Sequence, residues 1–299
     1  MTLALGIDVG TTATKALVID DDGRIVAETE RRSELISPHP GWAEEDPAQW
    51  WSNVTSLAAD LPLGEVSAVG VSGMVPCVIC LDEHGAPLRR SIQQNDARAV
   101  DEVDELAAEL ADRDLLARTG SPITQQSVAP TARWLAGNEP EIWAATRTIL
   151  GSYDFIAHRL TGERAVESNW ALESGLFDLR AGGWAHDVCE AAGIDEDRLP
   201  PVRSSSEVVG TVTAEASRAT GLPEGIPVVA GSADHVASAF AAGLIEDGDL
   251  LVKLGGAGDI LLSTDDVLVD ERLYLDFHLV PGRYLPNGCM AASGSLIRW

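Results

Sequence analysis

Short apolar runs separated by turn residues indicate that the chain opens with β-strands. Leu3 to Ile7 is apolar, Ala16 to Ile19 is apolar and partly β-branched, and Arg24 to Arg31 alternates between polar and apolar positions. Gly10 lies between the first two runs, and Asp20-Asp21-Asp22-Gly23 separates the second from the third. This order predicts three strands joined by tight turns, the first two forming a hairpin.

The rest of the chain alternates predicted strands with predicted helices, which favours an α/β fold. The run Ile226 to Ala230 does not alternate, so we expect that strand to be buried on both faces. Further strands are predicted at Val66 to Ser72, Val75 to Leu81, Val208 to Thr213, Leu250 to Leu254 and Ile260 to Ser263. Helices are predicted from Pro47 onward and at 99–112, Pro130 to Ala136, Glu139 to Ala145, Ser152 to Leu160 and His235 to Ala242.

The C-terminal part repeats the opening pattern, because the strand at Leu250, the glycine turn 255–258 and the strand at Ile260 follow one another. The opening strands resemble a ribonuclease-H-like domain, so we predict that fold for residues 1–246 and a second copy in residues 247–299. About 50 residues are too few to complete such a domain. We therefore expect the second copy to be incomplete, with a helix that starts at Ala291 and stops at Trp299.

Composition limits the kinds of partner. The 299 residues carry a net charge of −26 with a pI near 4.4, which argues against nucleic acid as a partner. No apolar run reaches membrane-spanning length, and the first strand begins without a signal peptide, so a cytoplasmic location is expected. Lysine occurs only at Lys15 and Lys253. The sequence does not set the oligomeric state; a homodimer is compatible with it.

Cys77 and Cys80 have the spacing of a redox or zinc motif, but they lie in an apolar run that predicts a strand. Residues three apart in a strand point to opposite faces. We therefore expect two buried structural thiols rather than a disulfide or a shared metal.

The segment GIDVGTTATK, residues 6–15, contains the first candidate chemistry. A strand that ends near Asp8 and turns through Gly10 presents the N–H groups and hydroxyls of Thr11 and Thr12, with Lys15 close behind. Successive N–H donors in a turn suit phosphate oxygens, and a carboxylate at Asp8 suits Mg²⁺ held through water. The alternative is a hairpin in which these residues serve only the turn.

Asp234 is the second candidate, because it follows a predicted core strand and opens a predicted helix. A carboxylate there is stabilised by the helix N-terminus and is suited to accept the proton of an attacking hydroxyl. For a lone aspartate, an ordinary helix cap is the simpler interpretation. The combination with Asp8 and the glycine turn 255–258 favours phosphoryl transfer.

Several segments in order resemble the FGGY family of carbohydrate kinases, closest to its xylulokinase-like branch, within the actin, hexokinase and Hsp70 superfamily. The matching segments are GIDVGTTATK, GWAEEDPAQWW (41–51), GVSGMVPCVICLD (70–82), IQQNDAR (92–98), GSADHVASAFAAG (231–243) and KLGGAGDI (253–260). The resemblance implies ATP-dependent phosphorylation of a sugar or polyol, a pentulose above all, with ATP and Mg²⁺ as cofactors. It also implies roles for individual residues: Asp8 as the Mg²⁺ anchor, Thr11, Thr12, Lys15, Gly255 and Gly256 at the phosphates, Asp234 as general base, and Asp96 and His235 facing the sugar.

Some positions depart from the family. Met74-Val75-Pro76 stands where xylulokinases have Gln-Met-His, and glycerol kinases have Arg-Glu at the last two of these positions. Val75 and Pro76 cannot hydrogen-bond a hydroxyl through their side chains, so the resemblance implies neither xylulose nor glycerol. His235 replaces the usual Asn or Gln, and Gly256-Ala257 replaces Thr-Ser. Family members also continue through a second domain that holds the adenosine, so we expect the 299-residue chain alone to have little kinase activity.

Two other functions compete with a kinase. A non-catalytic ATP-binding or regulatory module of the same superfamily would not need Asp234 as a base. A ribonuclease-H-type nuclease is disfavoured by the acidic charge and by the lack of further metal-binding carboxylates near Asp8.

Overall fold

The computed structural model describes residues 2–254 and 258–290. The strands are β1 Leu3–Val9, β2 Ala13–Ile19, β3 Ile25–Arg32, β4 Glu44–Glu45, β5 Val66–Gly73, β6 Ile79–Leu81, β7 Ser91–Ile92, β8 Thr148–Leu150, β9 Val166–Glu167, β10 Phe177–Asp178, β11 Gly183–Trp184, β12 Val202–Arg203, β13 Val208–Thr211, β14 Pro227–Val229, β15 Ser232–Ala233, β16 Leu250–Leu254, β17 Gly258–Leu262, β18 Tyr274–Phe277 and β19 Tyr284–Met290. The helices are α1 Pro47–Ala58, α2 Val100–Glu109, α3 Leu115–Thr119, α4 Val128–Asn138, α5 Pro140–Ala145, α6 Ser152–Thr161, α7 Ser168–Glu173, α8 His186–Ala191, α9 Ala214–Thr220 and α10 Asp234–Ala241.

The main sheet has the order β13-β14-β5-β1-β2-β3, and β15 pairs with β5 beyond the end of β14. The first three strands are antiparallel, whereas β5, β14 and β15 run parallel to β1. The first three strands are those predicted from the opening pattern, and the ribonuclease-H-like α/β fold is confirmed.

One face of this sheet is covered by helices, because alternate residues of β1 are apolar and buried. Leu5, Ile7 and Val9 are 4%, 3% and 0% exposed. Helix α1 packs on β2 and β3, with Trp50 completely buried, and α6 packs on β5. The opposite face presents the other residues of β1, including Gly6 and Asp8, to an open cavity. The sheet therefore has one face in the core and one facing a potential ligand.

A second sheet of order β16-β17-β19-β18 follows, antiparallel throughout. Its edge strand β18 lies against α7, where the Asn169 side chain donates to the Phe277 carbonyl (3.1 Å) and accepts from the Phe277 N–H (2.7 Å). The Ser121 hydroxyl also accepts from the N–H of Leu275 at 2.9 Å. These bonds seat the second sheet on the first part of the chain.

Two strand predictions need correction. Val75 to Leu81 is a strand only at Ile79–Leu81, because Pro76 has no N–H for a sheet ladder. The strand predicted at Ile226 to Ala230 is not buried on both faces: Val228 is buried, but Val229 lines the open cavity.

The thiol prediction holds, since Cys77 and Cys80 are both buried and free. The turn residues 255–257 and the helix expected from Ala291 lie outside the described residues. No helix in the described ranges is long and apolar enough to cross a bilayer.

Candidate active site

Three parallel strands end side by side at one edge of the main sheet. Gly73 pairs with Val9 on one side and with Ala233 on the other, so the ends of β1, β5 and β15 are level. From this line the chain continues into the turn after Gly10, the loop after Met74, and Asp234. Ligands of open α/β sheets bind at the carboxyl ends of adjacent parallel strands. The register therefore brings three predicted site segments to one edge.

Asp8 lies at this edge on the open face. The Ser72 hydroxyl, directly opposite on β5, donates to Asp8 Oδ1 at 2.9 Å. Burial raises the pKa of Asp8, opposed by the Ser72 hydrogen bond; the Asp234 charge raises the pKa further, and Lys15 lowers it. Asp8 Oδ2 forms no hydrogen bond within the described residues. One carboxylate oxygen is thus fixed by the protein and the other is available to a hydrated cation.

The turn after β1 has the form expected of a phosphate-binding loop. The Gly10 N–H donates to the Ala13 carbonyl at 3.1 Å and closes the turn, while the N–H groups of Thr11 and Thr12 bond to no other backbone group in the described part of the chain. A Cβ on Gly10 would lie 3.2 Å from that carbonyl and 3.5 Å from Asp8 Oδ2. A side chain there would crowd both the turn and the carboxylate.

Lys15 lies opposite Asp8 on β2 and lines the same open cavity, whose volume is about 870 Å³. Ser72, Gly231 and Ser232 are also part of its lining. Because the lysine charge lowers the pKa of Asp8, the two side chains are close enough to interact. A cationic and an anionic group thus share one face of the sheet beside the turn.

Asp234 is the first residue of α10, where its carboxylate benefits from the helix dipole. Its side chain is 47% exposed. The charge of Asp234 raises the pKa of Asp8, and the strands that lead to the two residues end level at one sheet edge. A shared catalytic role for the two carboxylates stays a prediction. Asp234 does not itself line the 870 Å³ cavity, although Ser232 and Ala237, on either side of it in the chain, do.

His235 follows Asp234 and makes a bond that the sequence did not reveal. Its Nε2 lies 2.8 Å from Asp276 Oδ2 on β18 and 3.9 Å from Glu173 Oε1 at the end of α7. Its Nδ1 lies 3.6 Å from Asp234 Oδ1. The histidine predicted to face the sugar is therefore engaged with protein carboxylates, and its role toward a sugar stays a prediction.

Asp96 is 2% exposed and its acceptor sites are occupied. Its Oδ1 accepts from the backbone N–H (2.8 Å) and Nε (2.9 Å) of Arg98, and its Oδ2 accepts from Arg98 Nη2 (2.8 Å) and the N–H of Ala43 (2.6 Å). Arg98 also binds Glu44 and stacks 3.8 Å above the Trp42 ring. The structure gives Asp96 a place in a buried ion-pair network; contact with a sugar stays a prediction.

The loop that follows β5 contains Val75 and Pro76, both buried. The loop is held by the Met74 N–H, which donates to the Val9 carbonyl (3.1 Å), and by Ser152 Oγ, which donates to the Met74 carbonyl (2.7 Å). The loop therefore lies beside the end of β1. Because both side chains are buried, their contact with a sugar stays a prediction.

The second sheet contributes Lys253, whose Nζ lies 2.9 Å from Asp259 Oδ2. The Asp259 hydrogen bond raises the pKa of Lys253, burial opposes this, and the charge of Asp234 adds to the rise. Lys253 is therefore near Asp234. Gly255 and Gly256 lie outside the described residues, so their predicted contact with phosphate stays a prediction.

Sequence reasoning missed Ser72, Glu173 and Asp276. Ser72 was accessible in principle, because parallel pairing of two predicted strands places it opposite Asp8. Glu173 and Asp276 reach His235 from segments 62 and 41 residues away in the chain, and no motif marks them.

Known proteins share this architecture. The N-terminal domain of the FGGY family of carbohydrate kinases matches residues 3–241. Xylulose kinase from Rhodospirillum rubrum is 49% identical, with a TM-score of 0.96 over 99% of this chain and 62% of that one. Xylulose kinase from Escherichia coli K12 is 28% identical over 301 residues, 99% of this chain and 62% of the relative. Glycerol kinase from Nocardia farcinica is 29% identical over 98% of this chain and 61% of the relative. The chain thus spans about three fifths of the length of these relatives.

Proposed function

The chain belongs to the FGGY family of carbohydrate kinases, and we propose that the protein transfers the γ-phosphoryl group of ATP to a hydroxyl of a sugar or polyol. The relatives that match nearly all of the chain are named xylulose kinase and glycerol kinase. A pentulose is the substrate class that we favour, since xylulose kinases are frequent among these relatives.

Asp8 and the turn after it would bind the phosphate end of the nucleotide. The free oxygen of Asp8 fits a hydrated Mg²⁺, because Mg²⁺ keeps several waters and needs few protein oxygens. The N–H groups and hydroxyls of Thr11 and Thr12, together with Lys15, fit phosphate oxygens. Bound Mg²⁺ would supply positive charge against the negative charge of the phosphates. The glycines at 255 and 256 would contribute further N–H donors.

Asp234 would act as general base on the acceptor. The hydroxyl oxygen forms a bond to the γ-phosphorus, the bond from that phosphorus to the bridging oxygen of ADP breaks, and the hydroxyl proton passes to the Asp234 carboxylate. The proximity of Asp8 and Asp234 supports this division of roles. In this proposal Asp8 would hold the metal ion and Asp234 would receive the proton, and the phosphoryl group would move between them.

The sugar would lie against the loop of Val75 and Pro76. These side chains cannot donate or accept hydrogen bonds, so they favour carbon surface of the sugar rather than its hydroxyls. We propose that residues 247–290 begin a nucleotide-side domain whose remainder lies in the portion of the relatives that this chain does not span.

The observation that carries the proposal is the register of β1, β5 and β15, whose level ends bring Asp8, the turn after it and Asp234 to one edge of the sheet. An ADP-release assay with D-xylulose, L-xylulose, D-ribulose, glycerol and gluconate tests it, on the 299-residue chain and on the longest protein that its gene encodes. We expect sugar-dependent ADP release from the longer protein with one of the pentuloses, and little release from the 299-residue chain.

ADP release without any acceptor dependence would indicate an ATPase and contradict the proposal. ATP binding with no turnover on any acceptor, unaffected by Asp234→Asn, would favour the non-catalytic module instead.

A further inference from the structure

Three ionisable side chains from three separate elements meet behind Asp234. His235 lies on α10, Glu173 ends α7, and Asp276 lies on β18 of the second sheet. One ligand-type atom from each lies within 4.8 Å of the other two. We call Glu173, His235 and Asp276 the His235 cluster. It is the point at which the second sheet touches the residue next to the proposed base.

Two oxygens of the cluster are buried without a hydrogen-bond partner in the described residues. Asp276 is completely buried; its Oδ2 accepts from His235 (2.8 Å) and from Asn287 Nδ2 (2.6 Å), but its Oδ1 has no donor. Glu173 Oε1 is also without a donor. A buried acceptor left without a donor destabilises the fold. A single proton held between the two carboxyl groups satisfies both, as in other close carboxyl pairs.

The negative charges around His235 favour a protonated, positively charged imidazole. Asp234, Asp276 and Glu173 surround one imidazole, and His235 is only 23% exposed. Burial alone would lower the pKa of His235, but the Asp276 charge, the neighbouring Asp234 side chain, the hydrogen bond to Asp276 and the Glu173 charge together raise it well above its usual value. Burial and the neighbouring Asp276 raise the pKa of Glu173.

We propose that His235 is a protonated positioning residue: Asp276 holds its Nε2, its Nδ1 faces Asp234 Oδ1, and Glu173 shares one proton with Asp276. In this arrangement the imidazolium holds one oxygen of Asp234 toward the protein and leaves the other for the acceptor hydroxyl. The orientation of Asp234 then depends on the seating of β18 against α7. The catalytic part of this inference rests on the proposed function, whereas the protonation state does not.

A divalent cation in the cluster is the competing occupant, because one histidine and two carboxylates suit zinc. The geometry disfavours it. The Nε2 of His235 is already at hydrogen-bond distance from Asp276 Oδ2, and the Asn287 amide occupies the same oxygen. A cation would have to displace both bonds.

Protonation is tested by NMR of ¹⁵N-histidine in the 299-residue chain between pH 5.5 and 9. The chain has six histidines, and His235→Asn identifies the resonance of interest. We expect both nitrogens of His235 to remain protonated well above the ordinary histidine pKa of about 6.5. Asp276→Asn is expected to lower the midpoint of His235 by about one pH unit or more. The other charges near the cluster, Asp259, Lys253 and Cys289 on the second sheet, stay unchanged in this comparison.

Glu173→Gln separates a shared proton from an ionised Glu173. The glutamine amide donates to Asp276 Oδ1 as a protonated carboxyl would, so we expect the midpoint of His235 and the melting temperature to stay close to those of the parent chain. A large fall of both would mean that Glu173 is ionised and pairs directly with His235, and would overturn the shared proton. A neutral His235 at pH 7, or Zn²⁺ binding by isothermal titration that His235→Asn abolishes, would overturn the proposal itself.

In the longer protein, should it prove active, Asp276→Asn is expected to lower kcat about tenfold with little change in KM for the sugar, and to add an alkaline limb to the pH profile of kcat. An equal fall at every pH would indicate a merely structural role. Because the NMR experiment needs no turnover, failure of the kinase proposal and failure of this one are distinguishable.

Discussion

Gly231 lies so close to Val71 that no side chain fits between them. A Cβ on Gly231 would lie 1.9 Å from the carbonyl oxygen of Val71, and the residue also has a φ of +90°. This close approach shifts the chain from β14 to β15, so that Ser232 and Ala233 continue alongside β5 and Asp234 follows directly at the sheet edge. The position of the proposed base thus depends on the absence of one methyl group.

Gly231→Ala is therefore expected to destabilise the protein by at least about 3 kcal/mol, because a backbone carbonyl must move and a positive φ is strained. Gly243→Ala is the matched control, since Gly243 has the same φ of +90° and open space around it. We expect the control to cost only about 1 kcal/mol. Urea unfolding of both variants measures the difference; equal losses would show that the contact with Val71 is easily relieved.

Asp234→Asn is expected to lower kcat by a factor of about 10²–10⁴ in the active protein, with KM for ATP nearly unchanged, because it removes the proton acceptor. Asp101→Asn provides the control. Asp101 is also an exposed aspartate in the first turn of a helix, α2, away from the level strand ends. If both variants lose activity alike, the effect comes from the helix terminus and not from base catalysis.

Asp8→Asn is expected to make the protein more stable at neutral pH while abolishing phosphoryl transfer. Because the folded state raises the pKa of Asp8, the folded protein binds its proton more tightly than the unfolded chain does. The Asp8 carboxyl therefore stabilises the folded state at pH values below its ordinary pKa of 3.8. This stabilisation is lost as the pH rises through the raised pKa of Asp8 in the folded protein. The asparagine keeps an oxygen for Ser72, so the gain should be larger at pH 7.5 than at pH 4.5.

Asp249→Asn is the control of opposite sign. The N–H groups of Glu246 and Ile245 lower the pKa of Asp249. The Asp249 carboxylate therefore stabilises the folded state above its ordinary pKa of 3.8, and this stabilisation is lost as the pH falls through its lowered pKa in the folded protein. Thermal unfolding of both variants at the two pH values should give shifts of opposite direction. A lower melting temperature for Asp8→Asn at pH 7.5 would show that Asp8 stabilises the fold rather than serving a ligand.

The sequence predicted the opening hairpin and its neighbours correctly because those signals are local. The apolar run from Leu3 to Ile7, the turn at Gly10 and the β-branched run up to Ile19 each follow from a few adjacent residues. The same locality explains the error at Val75 to Leu81, where an apolar run was taken for a strand although Pro76 interrupts the ladder. The burial of Val229 was misjudged because composition does not say which face of a sheet is covered.

The site was predictable only where residues follow strand ends. Asp8 and Asp234 lie at the same sheet edge because β1 and β15 both border β5, which follows from the strand order. The partners of His235 were not predictable, since Glu173 and Asp276 are brought to it by the packing of β18 on α7. The Asp96 network was equally hidden, because Arg98 must first bury its guanidinium against Trp42.

The native protein is expected to expose one reactive thiol. Burial raises the pKa of Cys77 and Cys80, the latter to about 11, and that of Cys189 to about 12. Burial and the neighbouring Asp259 raise the pKa of Cys289 too, but this cysteine is exposed on β19 and is therefore accessible to a reagent. Thiolates are the reactive form, so a disulfide reagent at pH 8 should modify Cys289 and reach the other three only after unfolding. Rapid reaction of a second thiol in the folded protein would contradict the burial of the Cys77–Cys80 segment.

Asp96→Asn decides between a structural and a sugar-binding aspartate. If Asp96 only holds Arg98, the variant leaves a buried guanidinium short of one charge, and stability should fall by about 3 kcal/mol while KM for the sugar stays within about twofold. Arg98→Met provides the comparison. It removes the same ion pair from the other side and leaves the Asp96 carboxylate in place for a sugar contact. Equal losses of stability and unchanged KM in both variants would assign Asp96 to the fold. A KM that rises tenfold in Asp96→Asn, but not in Arg98→Met, would instead mean that a sugar hydroxyl competes with Arg98 for the carboxylate, and that the buried network opens when substrate binds.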